Sequence, residues 1–558
     1  PDRRVRVGPR SGLQALDTGH VRLVVVGGFL ALIFLSIAAR LVILASPGAV
    51  GLHGSDAAGA AVPLRGDIVD RNGVVLATSL AVASLFADPN QVLDAAGAAD
   101  ALAPLLSGMD RDDLLSRLTS DRDFVWLARH LTPRQQADIH NLGIPGIDFR
   151  FEQRRVYPHG ALTGHVVGFA DVDDHGLAGV EKGMDDELRA GGGALRLSVD
   201  IRVQHVLHDE LARAMQTFDA VAAAGTVIDV ATGEILAQVS LPDFDPNRVT
   251  ESSADARFNR ATLGVYEPGS TFKILTAAMA LEYATATLDK KFDATGPLRV
   301  DRFTVRDTHP ENRWLTMSEV FIYSSNVGAA RIAMEIGPER QRAFLERLGL
   351  LRRPQFELAE VGAPIVPRPW GEVSMTTIAY GHGIAVSQLH LAAAYAAIVN
   401  GGLLVEPTLR AVDRPVAGER VLSRATSDAL GAMLRLNVLR GTGRQADAEG
   451  FVVGGKTGTA EKAVAGGYNT DALISSFVAA FPMDAPRYAV LVMLDEPKGN
   501  EATAGFATAG WTAAPATAAI IARIAPLLGV APRTGGGTER TPALMVSLPD
   551  RRTGRAAF

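Results

Sequence analysis

The chain has 558 residues, with 55 Lys plus Arg against 61 Asp plus Glu, a net charge of −6, 47% hydrophobic residues and no cysteine. That length leaves room for about three or four structural units and a sizeable core, which excludes small disulfide or metal scaffolds, and the mild acidity argues against a nucleic-acid partner. The missing cysteine removes thiolate nucleophiles, thiolate metal sites and disulfides.

Taken in chain order, the first feature is apolar. Leu23 to Ala39 is an uncharged run bracketed by Arg22 and Arg40, and Leu41 to Ala45 extends it. At about 1.5 Å per residue the main run covers roughly 25 Å, and snorkelling arginines plus the second piece bring it to spanning length. Residues 22–45 are therefore expected to form one transmembrane helix. The triplet Ala58-Gly59-Ala60 has the form of a cleavage site but lies too far beyond the run, so the anchor is expected to stay uncleaved. Arg3, Arg4, Arg6, Arg10 and Arg22 precede the run. The positive-inside tendency then puts residues 1–21 in the cytoplasm and everything after the span on the outer face.

Residues 46–61, rich in Gly, Ala and Ser, read as a linker. Over 62–193 short strands such as Asp67 to Val69 and Val74 to Leu76, joined across Arg71-Asn72-Gly73, mix with helices such as Asp110 to Leu118. Gly191-Gly192-Gly193 marks a boundary. Beyond it, over 194–531, Thr226 to Val230 and Glu234 to Val239 read as paired strands and Phe272 to Tyr283 as a long apolar helix, with helices to about residue 440. Strands return at Phe451 to Val453, Ala472 to Phe481 and Tyr488 to Leu494, and a helix closes at Ala514 to Leu528. Strands at both ends of a unit with helices between and after predict an α/β (α+β) domain, an antiparallel sheet covered by helices. Residues 532–558, rich in Gly, Pro, Thr and Arg, are expected to form a disordered tail.

Only seven of the 55 basic residues are lysines, and two of them fall where chemistry is expected. In Glu267-Pro268-Gly269-Ser270-Thr271-Phe272-Lys273, a Pro-Gly turn places Ser270 at a helix N-terminus and Lys273 one turn on, over nearly the same face. A neutral lysine supplies the base that a serine nucleophile needs, and arginine could not. Alone, a Ser-x-x-Lys pair reads better as a capping serine and a surface lysine. Ser324-Ser325-Asn326, a polar break between the apolar helices Met317 to Ile322 and Val327 to Met334, would by itself be a cap. Lys456-Thr457-Gly458-Thr459 follows the strand Phe451 to Val453 and offers a cation and two hydroxyls, with Gly458 leaving room for a substrate to approach the backbone. The three elements occur in this order, 326 − 270 = 56 and 456 − 326 = 130 residues apart. Together they form a specific pattern for a serine acyl-enzyme.

Two other patterns fail on context. Gly450 to Thr457 fits G-x-x-x-x-G-K-T, but Phe451-Val452-Val453 reads as strand and Gly458-Thr459 does not open a helix. His205 and His208 lack the spacing of a zinc site.

With these motifs in hand, the sequence resembles the class B penicillin-binding proteins of the cell-division D,D-transpeptidase type, from the anchor to about residue 530. Arg65 to Gly73, Arg155-Val156-Tyr157-Pro158 through His165 to Phe169, and Gly176 to Leu188 resemble that family's three pedestal motifs, so 62–193 would be its pedestal, or dimerisation-type, domain and 194–531 its transpeptidase domain. Asn259-Arg260-Ala261, Tyr380-Gly381-His382-Gly383 and Gly441-Thr442-Gly443 favour the division type over the elongation type. The resemblance implies that Ser270 attacks the D-Ala-D-Ala carbonyl of a peptidoglycan stem peptide. Lys273 would be the base, kept neutral by burial and by the charge of Lys456. Ser324 would relay a proton, and Asn326 would hold the donor amide. Thr457 and Thr459 would bind its terminal carboxylate across Gly458, and the N–H groups of Ser270 and Thr459 would form the oxyanion hole. It also implies β-lactams as inhibitors, no cofactor or metal, and placement in the bacterial inner membrane at the division site with a periplasmic catalytic domain. Expected partners are a glycan polymerase and other division proteins. A serine β-lactamase or a non-catalytic division scaffold fits less well.

Overall fold

The computed structural model describes residues 25–38 and 65–533 except 107, 415, 465 and 466. The chain divides into two compact units, Pro1–Val62 and Pro63–Phe558. In the first, residues 25–38 form a helix whose apolar side chains, Phe29 and Phe34 among them, are exposed. Among the described residues no helix is long and apolar enough to cross a membrane. The remainder of the expected span, 22–24 and 39–45, lies outside them, as do the linker and nearly all of the C-terminal tail.

The second unit begins with a small sheet. Strand β1 (Ile68–Val69) turns into β2 (Val75–Ala87) as Asp70 Oδ1 accepts from the N–H groups of Asn72 and Val74, at 2.7 and 2.8 Å, with Gly73 at φ +87°. Strands β3 (Val125–Ala128) and β4 (Ile147–Val156) both pair with β2, and β5 (Leu195–Arg196) runs parallel to β1. The segment therefore leaves the sheet beside the strand on which it entered. Helices Ala95–Leu102 and Arg111–Leu118, capped by Asp94 and Asp110, close a separate apolar core against β2 and β3.

The root of this sheet is held by ions. Arg65, 1% exposed, donates from Nε to Glu181 Oε2 and from Nη1 to Asp185 Oδ1, both at 2.6 Å, while Arg155 Nε reaches Glu181 Oε1 at 2.6 Å. Every formal charge in the cluster has a partner, which buried ions require. These residues come from the three segments that carry the pedestal resemblance.

Helix α1 (Ile201–Thr217) follows, and then a five-stranded antiparallel sheet: β6 (Ala222–Asp229), β7 (Ile235–Leu241), β8 (Gly454–Val464), β9 (Gly467–Phe481) and β10 (Tyr488–Asp495), in the spatial order β8-β9-β10-β6-β7. β10 is buried throughout because helices cover both faces of the sheet. Its Val490, Val492 and Leu494 meet α1 and α7 (Ala513–Leu527), where Val203, Leu207 and Leu211 and Ile520, Ile521 and Ile524 form the apolar stripes. Ala489 and Leu491 face the opposite core, built by the helices between β7 and β8. They include α2 (Lys273–Glu282), α3 (Met317–Ile322), α4 (Asn326–Ile336), α5 (Gln388–Val399) and α6 (Arg424–Arg440). All residues of α5 are buried, as its nearly unbroken apolar sequence requires.

Two expectations shift. Phe451 to Val453 is not a strand, and β8 starts at Gly454, so the Lys-Thr-Gly motif is the edge strand itself and not its sequel. Between α2 and α3, in the stretch expected to be helical, lie two hairpins, Lys291–Ala294 with Arg313–Thr316 and Leu298–Val300 with Phe303–Val305.

Candidate active site

Ser270 sits three residues before α2, on a 3-10 turn, Gly269–Phe272, that runs straight into the helix. In such a turn residues three apart eclipse one another, more closely than in an α-helix. Lys273 Nζ accordingly lies 2.9 Å from Ser270 Oγ. Gly269 takes φ +54°, and a Cβ there would stand 2.9 Å from the Thr459 carbonyl oxygen, so the turn is pressed onto β8 by a residue without a side chain.

Ser324 links the other groups. It follows α3 at φ +58°, a left-handed conformation that breaks the helix and is unusual for serine. The break turns both its hydroxyl and its carbonyl towards Lys273, whose Nζ is 3.0 Å from Oγ and 2.5 Å from the carbonyl oxygen. Ser324 Oγ also donates to Ser270 Oγ at 2.9 Å and accepts from Lys456 Nζ at 3.1 Å. Asn326 Oδ1 accepts from Lys273 Nζ at 2.8 Å. Ser325 points away from the group: it caps α4 through Gly328 N and donates to Asp307 Oδ2 at 2.7 Å.

Lys456, wholly buried over the Phe321 ring, also donates to Thr457 Oγ1 at 3.0 Å and Thr442 Oγ1 at 3.3 Å. Asn437 on α6 fixes this corner, donating to Gly455 O and accepting from Thr442 N at 2.8 and 3.2 Å. Thr459 Oγ1 accepts from Ala509 N at 3.2 Å, leaving its O–H to donate. Gly458 does not face open space. A Cβ there would meet Ser476 Oγ at 2.5 Å, Pro268 O at 2.7 Å and Thr271 Cγ2 at 2.8 Å, so the glycine is needed for the nucleophile's turn to pack on the strand.

Burial dominates the electrostatics. It pulls Lys273 down to about 7 from an ordinary 10.5, against the attraction of Asp307. Lys456 is also lowered well below the ordinary value, by burial and then by Lys273. Desolvation, the first of the two expected causes, is thus what makes Lys273 a base, and the repulsion between the two amines is felt at Lys456.

All the expected residues, Ser270, Lys273, Ser324, Asn326, Lys456, Thr457, Gly458 and Thr459, fall in this one cluster. Asp307, Asn437 and Thr442 were not expected in it. Gly441-Thr442-Gly443 stood out in the sequence, but nothing there tied it to Lys456, and Asp307 lies on a loop without any pattern. Among the described residues no group of acidic or histidine side chains could hold a metal ion, and His208 instead pairs with Asp243 at 2.8 Å.

Residues 223–519 match the family model for the penicillin-binding protein transpeptidase domain, and residues 60–210 that for the penicillin-binding protein dimerisation domain. A probable peptidoglycan D,D-transpeptidase FtsI of Caulobacter vibrioides is 40% identical over 94% of this chain and 91% of its own. The peptidoglycan D,D-transpeptidase FtsI of Escherichia coli K12 is 30% identical, with 84% of each chain covered. Penicillin-binding protein 3 of Mycobacterium tuberculosis, solved in complex with aztreonam, superposes with a TM-score of 0.67 at 25% identity, over 85% of this chain and 98% of that one. The chain belongs to the penicillin-binding protein transpeptidase family.

Proposed function

We propose that this protein is a peptidoglycan D,D-transpeptidase that cross-links stem peptides during septal wall synthesis and is a target of β-lactams. The observation that carries the reading is the continuous hydrogen-bond network from Lys273 through Ser270 and Ser324 to Lys456. Neutral Lys273 takes the Ser270 proton as Oγ attacks the carbonyl between the two terminal D-alanines. Ser324, in contact with both lysines and the nucleophile, passes a proton to the leaving amine. Asn326 holds the donor amide. Thr457 and Thr459 offer hydroxyls to its carboxylate, beside whatever charge Lys456 retains. The N–H groups of Ser270 and Thr459, on chain segments that Gly269 holds together, receive the oxyanion. Because β8 is the edge of its sheet, the donor peptide has a strand to lie against.

Residues 22–45 would anchor the enzyme in the inner membrane with 1–21 in the cytoplasm, 62–193 as pedestal and 194–531 as the periplasmic catalytic domain. A membrane glycan polymerase and other division proteins would be its partners. The assay is direct: incubated with a stem pentapeptide and an acceptor amine, the protein should release D-Ala and form the amide, and Ser270→Ala should do neither. Release of D-Ala by the variant would sink the assignment of the nucleophile. In cells, depletion should give filaments. Rounded cells would point to an elongation enzyme.

A further inference from the structure

The network around Ser270 accounts for acylation and can take the last proton from an attacking nitrogen, but an acceptor that arrives protonated must first lose another. The acceptor is an amine, which at neutral pH arrives as an ammonium ion without a lone pair to attack. A second cluster of titratable groups borders the same turn. Glu267 lies three residues before Ser270. Gly381 packs so tightly on Gly269 that a Cβ would fall 2.0 Å from the Gly269 oxygen, and its own carbonyl accepts from Gly269 N at 3.1 Å. The next residue, His382, is thereby tied to the nucleophile's backbone. Glu267 Oε1 accepts from Gly383 N and Tyr468 OH, both at 2.8 Å. Its Oε2 is buried without an aligned donor and lies 3.2 Å from His382 Nδ1. The rings of Tyr380 and Tyr468 flank the imidazole at 5.4 and 6.0 Å, and 29% of the His382 side chain remains open to solvent.

We propose that His382, oriented by Glu267, is the catalytic base for the acceptor half of the reaction. This rests on the D,D-transpeptidase reading above. A carboxylate 3.2 Å from Nδ1 favours the ring proton on that nitrogen, and a small rotation would align the two, which leaves the lone pair on Nε2. The charged groups that act on the ring are Glu267 and Glu461, which favour the imidazolium, and Lys273, which opposes it, with burial the strongest influence and directed towards the neutral form. The negative charges of Glu267 and Glu461 also favour the approach of an ammonium. In the step itself Nε2 removes one proton from the ammonium. The freed amine attacks the acyl carbon, the C–N bond forms and the bond to Ser270 Oγ breaks. Lys273 takes the second nitrogen proton and returns it to Oγ, and the imidazolium releases its proton to solvent.

The test uses the full chain, a thioester donor and two acceptors, D-alanine, which is protonated at pH 7, and hydroxylamine, which is neutral there. The measured quantity is the ratio of amide to hydrolysed product. His382→Gln should lower that ratio by about tenfold or more with D-alanine and by less than about threefold with hydroxylamine. His382→Asn serves as a second variant, and covalent labelling by a fluorescent penicillin reports a folded site. An equal loss with both amines would assign His382 a merely structural part and overturn the proposal, as would no loss with either. If the unaltered protein neither turns over the thioester nor takes the penicillin label, it is the transpeptidase reading that has failed.

Discussion

Lys273 is the residue on which most depends. Its amine is about 7 in the folded protein and near 10.5 when unfolded. Between those values the unfolded chain binds a proton that the native state lacks, so stability rises with pH across this window, and the cost is fully present below about 7. Relative to Lys273→Met, the unaltered protein should gain roughly 1 kcal/mol per pH unit between about pH 7.5 and 9.5. Urea midpoints of the two proteins measured across that range would show it, and parallel profiles would mean that the lysine is not desolvated. Acylation by penicillin should likewise rise about tenfold per pH unit below pH 7 and level off above, since only the neutral amine accepts the Ser270 proton. The seven lysines of an arginine-rich chain pointed to Lys273 and Lys456 without any structure. Asp307, Asn437 and Thr442 were not legible, because what they do depends on partners 20, 18 and 15 positions away that only the tertiary fold brings to them.

At the scale of elements, the site is a 3-10 turn and a strand edge clamped together at two glycines, Gly269 and Gly458. Gly458→Ala forces a methyl into Pro268 and Thr271, so it should cost about 1–3 kcal/mol of stability and lower penicillin acylation at least about tenfold. If the glycine served only substrate access, the thermal midpoint would not move. The periodicity and turn residues made most elements readable: the helix after Ser270, the capped helix Arg111–Leu118 and the strands β6, β7, β9 and β10 fall within a few residues of expectation. Phe451 to Val453 misled because a short apolar run does not reveal whether it pairs. Here it packs without pairing, and the ladder begins at Gly454 with residues that look like a loop. The hairpins between α2 and α3 were missed since their strands are only three or four residues long.

Over the whole molecule, the pedestal and the catalytic domain are joined where the strands beginning at Ile68 and Leu195 lie side by side, with Arg65 and Glu181 buried at the root. Arg65→Met removes one partner from a carboxylate that is fully buried, and should destabilise the protein by about 3–5 kcal/mol. Adding Glu181→Met should recover part of that loss by removing the stranded charge, although Arg155 then loses its carboxylate and keeps its bonds to Gly66 O and Ser79 Oγ. A thermal-denaturation cycle over the three variants measures it, and strictly additive losses would show that the ions do not act as a unit.

The central claim is that Ser270 forms the acyl-enzyme. Reaction of the full chain with penicillin, followed by mass spectrometry of the peptide containing Ser270, tests it most directly. A mass increase equal to the intact drug is expected on Ser270, stable over hours, and none in Ser270→Ala. An adduct on another residue, or one that persists in the variant, would contradict it.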